Sequence, residues 1–234
     1  MQHVNHPASP QFSTGDFLRQ GAWFASLEPA LQELILARTV PRNFPEGAYM
    51  IHEGDASRGL YVLLDGWARF TKHVSESEEV LMHIGGAGSW FGDFGLFTGR
   101  AMGSVIADTP CRTLLLPMAE FERIVAEDPR HYRAFNQLLL SRLDLLFRFA
   151  AEARGLSAED WLLARLRGLV EMRTRGEPAG DTATIPLSQA QISSLVGLTR
   201  QTLSGMLKSL VSRGLIEISY RRVRLLPKAT EPRP

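Results

Sequence analysis

The stretch LSQAQISSLVGLTRQTLSGMLKSLVSRGLIEIS, residues 187–219, decides how the chain divides. Ser188 is placed to cap a short helix over 189–195 whose apolar face is Ile192, Leu195 and Val196. Gly197-Leu198-Thr199 then makes a tight turn, and Thr199 caps a second helix from Arg200 to about Ser212. Leu203, Met206, Leu207 and Leu210 mark the core side of that helix, which leaves Arg200, Gln201, Ser204, Gly205 and Lys208 outward. Helix, glycine turn and helix is the pattern whose second helix lies in a DNA major groove. Arginine, glutamine and serine at its N-terminal end are side chains able to read base edges. Beyond Arg213-Gly214, residues 215–219 and 222–226 predict a two-stranded wing that brings Arg221, Arg222 and Arg224 near phosphates. The DNA-binding candidates are Ser188, Gln189, Thr199, Arg200, Gln201, Ser204, Lys208, Arg221 and Arg222.

Charge supports that division. The whole chain of 234 residues carries only +1, but residues 182–228 hold 7 basic side chains and a single acid, Glu217. A local excess of that kind suits a phosphate-facing surface. The other composition values, 44% hydrophobic and 22% charged, are those of an ordinary globular chain. No apolar run approaches the ~20 residues of a membrane span, and the first residues lack the basic and apolar regions of an export signal. No membrane association is expected, and a cytoplasmic location is. Cys111, the single cysteine, leaves no internal disulfide, and an iron–sulfur cluster or structural zinc site needs several thiolates.

Upstream, residues 1–20 are polar, contain Pro7 and Pro10, and predict a flexible arm. Trp23, Phe24, Leu27, Leu31, Leu34 and Ile35 recur with a helical period that Pro41 closes. From 43 to 117 glycines recur every few residues between short runs at 60–64, 68–70, 80–84, 104–107 and 112–116, which predicts a small antiparallel sandwich or barrel. Asp65-Gly66 reads as a hairpin turn. Helical texture returns at 118–126 and, after Asp128-Pro129, runs unbroken from Arg130 to Arg154. In this longest element Phe135, Leu138, Leu139, Leu145, Leu146 and Phe149 form one stripe. Asn136, Leu140, Leu143, Phe147 and Ala150 form a second, spaced by alternating fours and threes, which suits a copy of itself in a parallel coiled coil. Ser157, followed by Glu159 and Asp160, starts a new helix and a second domain. The expected boundaries are an arm at 1–20, a sensor at 21–128, a dimerisation helix and hinge at 129–155, the DNA-binding domain at 156–228, and a frayed tail at 229–234.

Together these residues make the chain similar to the cyclic-AMP receptor protein/fumarate–nitrate regulator (Crp/Fnr) family of bacterial transcription factors. The similarity rests on Gly47, Met50-Ile-His-Glu-Gly-Asp55, Leu60-Tyr-Val-Leu63, Gly66 and Gly92-Asp-Phe-Gly-Leu-Phe97, then on Gln191-Ile192 through Leu210 and Arg213-Gly-Leu-Ile216. It implies an α+β chain: an N-terminal double-stranded β-roll of the cyclic-nucleotide-binding kind, a long dimerisation helix and a C-terminal winged helix-turn-helix. The implied partners are near-palindromic double-stranded DNA, a second copy in a homodimer, RNA polymerase and a small-molecule effector.

The departures bear on the effector. Cyclic-AMP-binding relatives carry a glutamate for the ribose and an Arg-Ser pair for the phosphate, where this chain has Asp93 after Gly92, and Gly103-Ser104. Neither glycine nor serine supplies the charge a phosphate needs; Arg100, three positions earlier, is the one substitute in reach. Leu146 and Phe147 stand where such relatives place hydroxylated residues against the adenine, so the pocket is expected to be filled or apolar and cyclic AMP not to be the effector. Trp67, Phe70, Trp90 and Phe91 either fill the roll or leave room for a flatter ligand. Haem would need axial ligands from His3, His6, His52, His73 or His83 and is not expected. A cupin-like metal enzyme would need an H-x-H pair that none of these histidines forms. No metal site and no catalytic residue is expected, and the alternative to a DNA-binding regulator is a cyclic-nucleotide-type module acting on a protein partner.

Overall fold

The computed structural model describes residues 13–75, 78–174, 184–185, 187–220 and 222–230. Ser13 caps helix α1 (Thr14–Leu18), its Oγ accepting the Asp16 amide at 3.2 Å, and Leu18 is buried. The arm expected over 1–20 is therefore structured from Ser13, with residues 1–12 outside the described residues. The single helix expected around Trp23 to Ile35 is two, α2 (Ala22–Ala25) and α3 (Pro29–Arg38), because Pro29 occupies the first turn of a new helix, where its missing amide costs nothing.

Next come β1 (Val40–Phe44), β2 (Tyr49–Ile51), β3 (Gly59–Asp65), β4 (Ala68–Ser75), β5 (Glu78–Gly85) and β6 (Trp90–Phe91). Helix α4 (Asp93–Thr98), β7 (Ser104–Ala107) and β8 (Cys111–Pro117) complete the roll. Two antiparallel four-stranded sheets, ordered β1-β8-β3-β6 and β2-β7-β4-β5, face one another over Tyr61, Phe91 and Val105. Pro41 is accommodated because β1 is an edge strand. Asp65-Gly66 is not a hairpin turn: β3 and β4 belong to different sheets, and Gly66 carries the chain across the corner at φ 93°. A Cβ there would lie 2.4 Å from the Pro110 carbonyl oxygen, so only glycine fits.

Helix α5 (Met118–Glu127) and the long α6 (His131–Gly155) close the first sheet, burying Phe121, Ile124, Phe135 and Leu138 against Phe24, Leu60 and Trp90. Burying each such side chain contributes about 1.5–3 kcal/mol. Ser157 caps α7 (Ala158–Thr174), its Oγ accepting the Asp160 amide at 3.1 Å. Beyond α7 lie β9 (Thr184–Ile185), α8 (Gln189–Val196), α9 (Arg200–Ser212), β10 (Ile216–Ser219), β11 (Arg222–Leu225) and α10 (Pro227–Thr230). β9 adds a third strand to the wing beside β11. Ala229 in α10 is fully buried, so the tail expected to fray from 229 is packed at its start, and residues 231–234 are outside the described ones.

The apolar core of the second domain does not stop at the domain boundary. Trp67, Leu81 and Ile84 of the roll belong to the same buried cluster as Leu166, Ile192, Leu195 and Leu207.

Candidate DNA-binding surface and effector cavity

The ends of α8 and α9 are built from local hydrogen bonds. Ser188 Oγ accepts the Gln191 amide at 3.2 Å while Gln191 Oε1 accepts the Ser188 amide at 2.9 Å, a reciprocal cap. Gly197 adopts the left-handed conformation at φ 63°, and the Leu198 amide reaches back to the Ser193 carbonyl at 3.1 Å, ending α8. Thr199 Oγ1 accepts the Thr202 amide at 3.2 Å and starts α9. Leu203, Leu207 and Leu210 are buried, which fixes the rotation of α9 and sends Arg200, Gln201, Gly205 and Lys208 into solvent, with Ser204 half-buried.

The other candidates divide by what their side chains already do. Ser188 and Thr199 are engaged as caps, and Gln189 is exposed in the first turn of α8. Arg222 and Arg224 are exposed on the wing, where Arg224 Nη1 lies 3.5 Å from Glu217 Oε2. Arg221 lies outside the described residues. Arg200, Lys208 and Arg222 form no ion pair among the described residues. Tyr220, missed by the sequence reading, is 90% exposed at the wing tip. An aromatic residue in a polar turn was the available signal.

A second feature lies inside the roll. A cavity of about 320 Å³ opens between the two sheets and α6, so the pocket is not filled. Gly92, Asp93, Gly103, Ser104 and Leu146 line it as expected. Arg100 and Phe147 do not. The Arg100 guanidinium donates to the Gly54 carbonyl at 3.0 Å, and Phe147 is 68% exposed on another face of α6. One residue along a helix turns about 100°, which separates Phe147 from Leu146. Phe70, Trp90 and Phe91 line the cavity, whereas Trp67 packs against the second domain.

Three cations at this cavity, Arg58, Lys72 and Arg142, escaped the sequence reading. Lys72 Nζ donates to Glu53 Oε1 at 2.5 Å and to the Met102 carbonyl at 2.7 Å, beside Gly103. The His73 amide and Lys72 together hold the Glu53 carboxyl down at about 2. Arg142 enters from α6, with Nε 3.5 Å from Asp93 Oδ2 and Nη2 donating to the Trp90 carbonyl. Its position was legible as a charge in step with Leu139, Leu146 and Phe149 on the helix. Gly103 is closely covered, since a Cβ would lie 2.5 Å from the Thr71 carbonyl oxygen. Ser104 Oγ accepts the Glu53 amide at 3.1 Å.

The histidines differ in setting. His52 stacks on Tyr49, and His73 Nδ1 lies 3.2 Å from Glu53 Oε2. His83 lies at the cavity wall beside Phe70, and its buried Nδ1 has no hydrogen-bond partner among the described residues. Burial, then the charges of Arg142 and Arg165, push its pKa down to about 3. No described group of three or more His, Cys, Asp or Glu residues is placed to hold a metal ion.

On α6 the expected seam faces outward. Asn136 and Ala150 are exposed, and Leu140, Leu143 and Phe147 are 61%, 48% and 68% exposed. No described helix is long and apolar enough to cross a membrane.

Residues 41–128 match the family described as the cyclic nucleotide-binding domain, and residues 161–229 match the Crp-like helix-turn-helix domain. A CRP-like cAMP-activated global transcriptional regulator of Mycobacterium tuberculosis is 22% identical over 209 residues, covering 89% of this chain and 93% of that protein. A probable transcriptional regulator, flp, of Lacticaseibacillus casei is 29% identical over 214 residues, with 87% and 90% covered. The solved structure of the c-di-GMP responsive global regulator CLP of Xanthomonas campestris has a TM-score of 0.64 and 22% identity over 85% of this chain and 99% of that one, a likeness of fold. With both domain matches in order on either side of the long helix, and regulators aligned across most of its length, the chain belongs to the Crp/Fnr family of transcription regulators.

Proposed function

We propose that the protein is a homodimeric, sequence-specific DNA-binding regulator whose roll cavity takes a small effector other than cyclic AMP. The observation that carries the DNA reading is the rotation of α9: three buried leucines hold Arg200, Gln201 and Lys208 on the solvent side. Dimerisation is supported by Leu140, Leu143 and Phe147, since a contiguous apolar patch on a helix is a surface waiting for a partner. A two-fold axis along α6 would set two recognition helices about 34–36 Å apart on a near-palindrome. RNA polymerase is the further protein partner of such a regulator, cytoplasmic the location in which it would work, and no catalytic step is assigned to it.

The effector reading rests on charge. A cyclic phosphate beside Gly103 would meet Lys72, whose ammonium already holds Glu53; of the other lining cations Arg142 is already on Asp93, and Arg58 is exposed to solvent. Burying a phosphate without a matched cation costs several kcal/mol by the usual penalty for an unpaired charge. Leu139, Leu146 and Phe149 offer the base an apolar wall with no hydrogen bond. An iron–sulfur cluster lacks thiolates, Cys111 being the only cysteine, and haem is not the group proposed.

Calorimetric titration with cyclic AMP, alongside retention of fragmented genomic DNA, tests both parts. DNA binding without cyclic AMP and no heat at micromolar nucleotide are expected. Micromolar cyclic AMP binding accompanied by tighter DNA binding would overturn the effector reading, and failure to retain any DNA would overturn the regulator reading.

A further inference from the structure

A second cleft of about 740 Å³ lies between the roll, α6 and α7, and His83, Ser89, Trp90, Arg142, Leu145 and Phe149 form the wall it shares with the roll cavity. Arg165 enters it from α7. This residue is only 6% exposed, and its guanidinium carbon lies 3.2 Å from the centre of the Phe149 ring. It makes no hydrogen bond or ion pair with any described residue, so its one close partner is an aromatic face. An arginine buried to that degree ordinarily has a carboxylate, a carbonyl or an anion on its donors.

The other charges in the cleft are already engaged. Arg142 holds Asp93 and the Trp90 carbonyl, Arg148 Nη2 lies 3.4 Å from Asp144 Oδ2, and Arg167 donates to the Ala229 carbonyl. Among the described residues the one acid lining the cleft is Glu152, which acts on Arg165 only at a distance. His83 contributes a neutral ring at the shared wall, with its Nδ1 unpartnered. Among the described lining residues four arginines face one glutamate, and the Arg165 guanidinium has no hydrogen-bond partner among them, so this lining is electropositive.

We propose that this cleft binds an anionic small molecule whose phosphate or carboxylate group pairs with Arg165 between the long helix and the DNA-binding domain. The site is distinct from the roll cavity, because Arg165 belongs to the second domain and does not line that cavity. A planar guanidinium presents a fork of donors suited to either oxyanion, and Phe149 holds its plane. An anion there would tie α7 to α6 and so hold the DNA-binding domain against the roll.

The test is calorimetry on the full-length protein with inorganic pyrophosphate and, separately, citrate, at ionic strength matched with chloride. One anion per chain is expected, and Arg165→Met, which keeps the contact with Phe149, should weaken it about tenfold or more, as loss of a charge-assisted hydrogen bond implies. Glu152→Gln should tighten it by removing the opposing carboxylate, and this variant carries the test if Arg165→Met does not fold. Arg123→Gln, which removes an exposed arginine on α5, should change nothing. Binding of pyrophosphate alone assigns a phosphorylated ligand, and binding of citrate alone a carboxylated one. Failure of both anions to bind, or affinity unchanged by both Arg165→Met and Glu152→Gln, overturns the proposal and leaves the roll-cavity reading untouched.

Discussion

Gln191 Nε2, in the first turn of α8, donates to Asp108 Oδ2 at 3.1 Å, and Asp108 in turn is ion-paired with Arg69 on β4. The DNA-binding domain is thus hydrogen-bonded to the roll by the same glutamine that caps its first helix. The Gln191 side-chain Oε1 serves the cap and its Nε2 serves the contact. Around this bond Trp67, Leu81 and Ile84 pack on the winged-helix core, so the two domains share buried apolar surface as well as this polar contact.

Gln191→Glu separates the two roles. A glutamate keeps the acceptor for the Ser188 amide but sets a carboxylate against Asp108, a like-charge contact that is repulsive. Hydrogen exchange over 80–85 and 189–196 should speed up, while exchange in α9 stays as in the wild type. Unchanged exchange at both faces would show that the domain contact does not hold in solution.

His83 makes stability depend on pH in a stated direction. Its ordinary value of 6.5 applies in the unfolded chain, and burial lowers the folded value to about 3. Above pH 6.5 both states are neutral and the full stability is present. As pH falls from 6.5 toward 3 the unfolded chain takes up a proton that the folded one refuses, so stability falls by at most about 1.4 kcal/mol per pH unit. Urea denaturation at pH 7 and pH 5 should show wild type losing up to about 2 kcal/mol more than His83→Leu. Equal losses would mean that the ring is protonated in the folded protein.

Leu143→Asp tests the seam. A carboxylate in a dry helix-helix interface costs several kcal/mol, so the dimer dissociation constant should rise by about a hundredfold or more. Sedimentation at micromolar protein should then find monomer. A variant that stays dimeric places the interface elsewhere.

What the sequence made legible was what local signals specify. The bounds of α9 and its outward residues followed from Thr199, Gly197 and the leucine spacing, all within one supersecondary unit. The outward-facing apolar stripe of Leu140, Leu143 and Phe147 on α6 followed from its periodicity, and the strands at 60–64 and 104–107 from short apolar runs. The misses depend on contacts distant in sequence. β1, β6 and β9 are short strands whose existence is decided by partners such as β8, β3 and β11. Gly66 turns a corner between sheets because Pro110 lies against it, which no neighbour in sequence announces. Lys72 and Arg142 reach the roll cavity from a strand and a helix far apart in the chain, and Phe147 was drawn into it by an error of one helical position.

The most direct measurement is selection of bound sequences from random duplex DNA with wild type, Arg200→Ala and Arg222→Ala in parallel. Wild type should return a near-palindrome with half-sites about 34–36 Å apart. Arg200→Ala should lose about 1–3 kcal/mol and its preference at one base of each half-site, as loss of a bidentate guanine contact implies. Arg222→Ala should return the same sequence bound more weakly, with a shallower salt dependence. An enriched sequence without two-fold symmetry, or one that Arg200→Ala leaves unaltered at every position, would contradict the assignment of α9 as the element that reads DNA.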